Sequence, residues 1–552
     1  MATTNTEERV LAVTGRQAYA KSSFDHHQSV LNAGVLFALP ALISQGLDKA
    51  FTTYNALSPG FYGLHHMIML SCFMTICRIK NPEQLKNYPP GELGKILGLD
   101  RVPEVGYFRK KLKQIIDQMK TDELHTVLFQ SWLTQMPEIF FYIDGHIRVY
   151  HGDLANLSKR FVSREKLCLS GTTEFWVNDE SGMPLMVITA ELNEKLKEGI
   201  EIIIEKIKEE IPEPANANQP RFTLVFDRES YEPKWFKSLW EKHKVAVITY
   251  RKNVKDKWDE YLFTDTETQL LNNNVTMRLC EMGTQLSGAW FREIRKLSEN
   301  GHQTAILTTH PNLSIQLIAG KMFSRWTQEN FFKYVLENFD FDRMIEYGTE
   351  EIDQKHTTPN PEYRKLTNQL KKIREKKARL EAKMYNKIES EGDKTIEEVK
   401  KDIINTSDLI EKINAYNEEV AVLMEQRNKI PSRISLAQMP QEYRYNKLKQ
   451  ESKKFKNAIV MLAYRAETAL YNILKAFFKG ADNNGRMLLK EIFSSDADMI
   501  PDYKNNTLTI VLHSMSTPRA NEAVAKLCEF LNETETIYPY SKLKMIFKSI
   551  AV

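Results

Sequence analysis

The chain has 552 residues, with Lys+Arg 76 against Asp+Glu 72, a formal net charge of +4 and 42% hydrophobic residues. At about 150 residues per domain this length suggests roughly three or four units, and the composition excludes disordered, collagenous and disulfide-scaffold classes. So even a charge balance leaves a polyanion partner to local patches, and five cysteines, none in a C-x-x-C pair, argue against structural zinc and for a reducing compartment.

The opening MATTNTEERVLAVTGRQ has no basic stretch followed by an apolar core, so no secretory signal is expected. The apolar runs 31–43 and 61–77 are interrupted by Pro40 and by His65 and His66. A spanning helix needs about 20 predominantly apolar residues, so both runs are predicted to be buried helices and no membrane partner is expected. The histidine pairs lack carboxylate or cysteine partners at zinc spacing.

Residues 1–130 form a predicted helical region. A short helix over 91–97 closes at Gly98, after which Val105, Phe108, Leu112 and Ile115 recur at helical spacing. Arg109, Lys110, Lys111 and Lys113 load the other side of that second helix. The pattern is compatible with a helix-turn-helix DNA reader, with Arg109, Lys110 and Lys113 on phosphates, and also with a solvated helix packed on its neighbour.

Near residue 135 the texture changes. Ile139-Phe140-Phe141-Tyr142-Ile143 leads into DGHIRVYHG, a strand on which Asp144, His146, Arg148 and Tyr150 share one face. FWVND and PLMVITA flank a turn-like stretch and predict a hairpin. An amphipathic helix over 192–210 follows, then the strand Phe222-Thr223-Leu224-Val225-Phe226 ending at Asp227, a helix over 233–244 and a strand over 245–250. Residues 251–309 look strand-rich and are predicted to be an inserted β subdomain. No G-x-G-x-x-G follows the first strand and no phosphate-loop motif is present, so nucleotide-cofactor folds lose their main support. The element order matches a mixed-sheet α/β nuclease core.

Beyond residue 360, Leu366, Leu370, Ile373, Lys377, Leu380 and Met384 step by four and three, and the alternation resumes from Ile396. This predicts a coiled-coil hairpin over 356–435, with a basic first arm (364–387) and an acidic second arm. The basic arm reads equally as a solvated spacer or a DNA contact. A further helix is predicted over 442–478, with a basic segment at 444–456, and a small α/β module ends the region 436–552.

Three acids stand where acids are unusual. Asp144 interrupts an apolar strand, Asp227 ends another where open α/β sheets place their sites, and Glu329 lies on a predicted helix with Arg325 and Lys333 one turn to either side. Clustered carboxylates repel, and Mg²⁺ reverses that by taking hard oxygen ligands. Each acid also has a plain structural reading: Glu329 can pair with Lys333, and Asp227 can cap a turn. Glu229 is an alternative ligand to Asp227. His146 and His310 are possible accessories, with a neighbour's hydrogen bond and a turn cap as their simpler roles. Trp326 can stack on an extruded base or belong to the core.

The segments YIDGHIRVYHG, TLVFDRESY and FSRWTQENFFKY resemble the DDE (Asp-Asp-Glu) transposases of bacterial insertion sequences, in the branch with a β-rich insertion before the last acid. The resemblance spans about 135–340, and GVLFALPALISQGL and LGKILGLDR extend it with less specific motifs. It implies an RNase H-like catalytic domain over 131–355 with its insertion at about 251–309. It also implies Asp144, Asp227 and Glu329 as catalytic ligands of two Mg²⁺ ions, replaceable by Mn²⁺. Arg325, Lys333, Trp326 and Arg148 become DNA contacts. The branch often carries Tyr three before the Arg and Lys seven after the Glu, where this chain has Met322 and Leu336. The expected function is cleavage of double-stranded DNA at transposon ends and transfer of the 3′-hydroxyl into target DNA, by a dimer assembled on DNA at a prokaryotic nucleoid in the cytoplasm. A nuclease that does not join strands, and a catalytically silent DNA-binding protein, are the alternatives.

Overall fold

Apolar runs between residues 140 and 308 build a ten-stranded sheet among the described residues. The computed structural model describes residues 5–550 except 135, 137–138, 153–154, 158, 163–164, 192–194, 271–272, 340–347, 352–353, 356, 390–395 and 479–481. The strands are β1 (Phe140–Val149), β2 (Leu167–Asn178), β3 (Pro184–Glu191), β4 (Phe222–Phe226), β5 (Val245–Tyr250), β6 (Thr264–Leu270), β7 (Asn273–Leu286), β8 (Ala289–Leu297) and β9 (Gln303–Thr308), with a short Lys159–Val162 strand beside β2. Their spatial order is β3-β2-β1-β4-β5-β9-β8-β7-β6. β3, β2 and β1 are antiparallel, β1, β4 and β5 are parallel, and β9 returns antiparallel to β5.

Both faces of the parallel strands are apolar because both are covered, as parallel strands require. All five residues of β4 are buried. On one face Phe141, Ile143, Leu224 and Phe226 join the core that includes Ile200 and Ile203 of helix α1 (Leu196–Glu210) and Phe236 of α2 (Pro233–His243). On the other, Phe140, Tyr142, Val225, Ile248 and Ile306 pack against Ile318 and Met322 of α3 (Ile315–Phe323), which leads into α4 (Trp326–Phe339). The β-rich stretch at 251–309 is formed as expected in content, and its last strand is a strand of the main sheet through the β9–β5 pairing.

Two long helices, α5 (Pro361–Glu389) and α6 (Ile396–Asn428), lie antiparallel. The direction follows from contacts between the start of one and the end of the other: the Arg427 guanidinium lies 5.6 Å from the Tyr363 ring, and Arg374 meets the Met424 sulfur at 3.3 Å. Leu370, Ile373 and Ile413 are buried between them, and Thr357–Pro359 pairs with Arg433–Ser435 at the base. The break expected at 391–393 lies outside the described residues.

The helix expected over 442–478 begins at Glu451 instead: α7 (Glu451–Phe477) is preceded by a 3₁₀ turn and a short strand. It is buried along much of its length, and this removes part of the expected basic segment from DNA. Lys453 is buried 4.0 Å from Glu174, and Lys454 pairs with Asp122 at 2.6 Å. The N-terminal strand His27–Val30 joins the C-terminal strands Ala497–Asp502, Thr507–Leu512 and Lys544–Ser549 in a four-stranded sheet. Phe37 meets Phe547 edge-on at 4.9 Å, and the Tyr538 hydroxyl donates to the Ile96 carbonyl at 3.0 Å. One apolar core thereby joins the first hundred residues, the sheet and the last sixty.

Candidate active site

The parallel strands set the site. Ile143 of β1 is in register with Phe226 of β4, and Phe226 with Thr249 of β5. One residue on, Asp144, Asp227 and Tyr250 therefore stand side by side, on strands about 4.8 Å apart. All three share the face covered by α3. Each aspartate is oriented by the backbone: Asp144 accepts from the Gly145 amide at 2.9 Å, and Asp227 from the Arg228 amide at 2.5 Å as it opens the 3₁₀ turn Arg228–Ser230.

The third acid arrives on the corner between α3 and α4. Ser314 caps α3 by accepting from the Leu317 amide, and Ser324 ends it. Arg325 occupies the corner, its side chain 12% exposed, with Nη1 3.6 Å from an Asp144 oxygen and Nη2 3.4 Å from Glu329 Oε1. Glu329 itself is largely exposed, at 63% of its side chain. Next to it, Gln328 is fully buried, with its amide nitrogen 3.1 Å from the carbonyls of Tyr142 and Trp176 and 2.9 Å from Asn178 Oδ1. Gln328 pins the first turn of α4 to β1 and β2. The β2–β3 turn also supports it: Gly182 has φ +80°, and a Cβ there would meet the Thr327 carbonyl oxygen at 2.8 Å.

Burial pushes the Asp144 carboxyl above its usual range; Arg325 pulls it back, and the Asp227 and Glu229 carboxylates push with the burial. Burial also raises the Tyr250 phenol, whose charged neighbours are Arg325, Asp227 and Glu329. Negative charge is thus concentrated where the parallel pairing of β1 and β4 ends, with one guanidinium against it. Among the described residues no group of three His, Cys, Asp or Glu lies at metal-holding spacing. Asp144 and Asp227 do fit a hard divalent cation, because such an ion takes one or two protein carboxylates and fills its remaining positions with water and phosphate. Their mutual repulsion is what a cation relieves.

A family described as transposase protein matches residues 1–551. The chain belongs to that transposase family. Membership makes DNA its partner and DNA cleavage and transfer its class of chemistry. No curated protein matches the chain. No helix among the described residues is long and apolar enough to cross a membrane.

The remaining DNA contacts expected of the transposase fall into three groups. Trp326 is exposed beside Arg325, and Lys333 is exposed one turn beyond Glu329. Arg109, Lys110 and Lys113 are exposed on the helix Val105–Ile116, although Arg109 pairs with Glu83 and Lys113 with Asp117 at 2.6 Å; Lys111 is not on that outer face but buried, donating to the Ser58 carbonyl at 2.7 Å. Arg148 departs most from expectation. It is fully buried and pairs with Glu174 at 2.9 Å, so it offers no surface to a phosphate.

His146 stacks on Phe332 with ring centroids 5.3 Å apart, and His310 Nδ1 accepts from the amides of Asn312 and Leu313, a turn cap. Glu229 is exposed in the turn after Asp227. Sequence reasoning missed Tyr250 and Gln328. The first was recoverable as the end residue of the strand beside Asp227's; the second adjoins Glu329 but gives no sign of burial.

Proposed function

We propose that this transposase uses the Asp-Asp-Glu route on an RNase H-like core, cleaving DNA at element ends and joining the freed 3′-hydroxyl to target DNA. The observation that carries the reading is the row of Asp144 and Asp227 on adjacent strands, each one residue past the end of their parallel pairing, with Arg325 tying Asp144 to Glu329 on the covering helix. The order β3-β2-β1-β4-β5, antiparallel then parallel, supports the RNase H-like assignment.

In this reading Asp144 and Asp227 hold divalent magnesium or manganese, and Glu329 supplies the third carboxylate. When bound, a pair of such ions activates a water or hydroxyl and stabilises the leaving oxygen of a phosphodiester. Arg325 balances the carboxylates in the absence of substrate and meets phosphate charge in its presence. Gln328 fixes the turn that presents Glu329, and Trp326 offers a stacking surface at the mouth. Two element ends must be held together for transfer, so a dimer on DNA is part of the proposal.

The test is nicking and joining by the purified protein on its element-end DNA, found as inverted repeats bracketing the gene. Wild type with Mg²⁺ or Mn²⁺ is expected to nick and to form a joined product, and Asp144→Asn to do neither. Unimpaired nicking by Asp144→Asn overturns the reading; nicking without any joined product reduces it to a nuclease.

A further inference from the structure

The site does not end at the acid row. A cleft of about 910 Å³ opens from Asp227, Tyr250 and Arg325 across the loop after β5 to the turn before β9. Its lining carries five basic residues, Arg228, Arg251, Lys255, Lys257 and Arg325, against two acids, Asp227 and Asp256. Internal pairing sorts these charges. Arg251 binds the fully buried Glu293, Asp256 binds the fully buried Arg295 at 2.7 Å, and Arg325 faces Asp144 and Glu329. Among the described residues Arg228, Lys255 and Lys257 make no ion pair, and all three are exposed.

The loop that displays the two lysines has neither helix nor strand from 251 to 259, yet it is held from beneath at several points. Arg295 donates to the Asp256 carbonyl at 2.9 Å and lies 4.1 Å from the centre of the Trp258 ring. Gln303 accepts from the Trp258 amide at 3.0 Å and donates to its carbonyl at 2.6 Å. The Arg251 amide donates to the Ala305 carbonyl at 2.9 Å. Buried charge is costly unless it is hydrogen-bonded; here it fixes a backbone whose outward side is cationic.

We infer that this cleft is a track for one strand of DNA, with Arg228, Lys255 and Lys257 on successive phosphates of the strand whose reacting phosphate lies at Asp144 and Asp227. A cleft of this volume has room for a few nucleotides of one strand. Such contacts position the strand and carry no sequence preference. The inference rests on the proposed function for the place of the reacting phosphate, and its own readout is binding.

The full-length protein is titrated, in EDTA over a series of salt concentrations, with two fluorescent mixed-sequence oligonucleotides: a blunt duplex and the same duplex with a single-stranded overhang. Wild type is expected to bind the overhang form more tightly. Lys255→Ala/Lys257→Ala is expected to make the salt dependence on the overhang form shallower by about 1.4 in log–log slope, at about 0.7 per single-strand phosphate contact, and to leave the blunt duplex unchanged. Arg228→Ala is expected to add a further decrement of about 0.7 on the overhang form alone. Identical slopes for wild type and the double variant, or an equal loss on both oligonucleotides, overturn the inference. Failure of the catalytic reading shows separately, as absence of nicking by wild type with Mg²⁺, because the binding assay contains no metal.

Discussion

Asp144 and Arg148 lie four residues apart on one face of β1 and meet opposite fates. Around Arg148 everything is closed: Glu174 pairs with it at 2.9 Å and also receives the Asn457 amide at 2.9 Å and the Trp176 indole at 3.1 Å, with Lys453 at 4.0 Å. Around Asp144 the ion pairs are loose, at 3.4 and 3.6 Å, and the charges reach the surface. The strand does not make this difference. At one end α7 lays Lys453 and Asn457 over the sheet; at the other the α3–α4 corner leaves a mouth. A polar row on a strand thus serves two purposes, and the element that covers it decides which part holds the fold and which part remains for a ligand.

The closed end gives the largest expected effect. Glu174→Ala strands a buried guanidinium and is expected to cost about 3–5 kcal/mol in unfolding free energy, while Glu174→Leu with Arg148→Met is expected to recover only part of it, because the Asn457 amide and the Trp176 indole still lose their acceptor. Burial alone would raise the Glu174 carboxyl, but Arg148, Lys453 and the Asn457 amide hold it down to about 2. A depressed folded-state pKa contributes stability above the unfolded value, about 4.3, and that stability is lost as pH falls toward about 2. Acid denaturation of wild type against Glu174→Gln reads this directly. Equal acid midpoints would show that the closed end does not hold the fold.

Between the two ends stands Gln328. Its buried amide nitrogen shares two N–H groups among three acceptors on β1 and β2, so Gln328→Ala is expected to cost about 1–3 kcal/mol. Because the turn it pins presents Glu329, nicking is expected to fall further than stability explains, at unchanged DNA affinity. A variant that loses affinity and nicking in parallel would give Gln328 a general structural role instead.

At the open end the sign reverses. Asp144 is pushed above its ordinary range, chiefly by burial, so ionising it works against the folded state as pH rises past its unfolded value, about 3.9. Asp144→Asn is expected to raise the melting temperature at neutral pH and to leave it unchanged below that value. Mg²⁺ is expected to stabilise wild type and not the variant, by linkage. Destabilisation of Asp144→Asn at neutral pH would place Asp144 with the structural charges.

The sequence made much of this site readable. β1 alternates, β4 is a continuous apolar run, and Asp144 interrupts the first while Asp227 ends the second, so one acid could be placed within a strand and the other at a strand end from local pattern alone. The fate of Arg148 was not readable, because its lid comes from α7, three hundred residues later, and period-two spacing says nothing about what lies over a face. Lys111 and Lys453 show the same limit on helices: a basic side chain on an amphipathic helix looks solvated until a carbonyl or a buried carboxylate is brought to it. The β-rich stretch was readable as strands, but the β9–β5 pairing that makes it part of the main sheet is a long-range register that no local signal encodes.

Lys333 gives the smallest expected effect on the fold and the finest distinction. It is exposed on α4 one turn beyond Glu329, so the open end should need it only for DNA. Exposed single substitutions away from special features stay within about 0.5 kcal/mol, and Lys333→Ala is expected to unfold with wild type in urea. On duplex DNA its binding is expected to show a log–log salt slope shallower by about 0.9, the mark of one lost phosphate contact. A stability loss near that of Glu174→Ala would erase the contrast between the two ends of β1. An unchanged slope would mean that the charge around Glu329 is set against the protein's own acids, and that the strand enters from the Lys255 side alone.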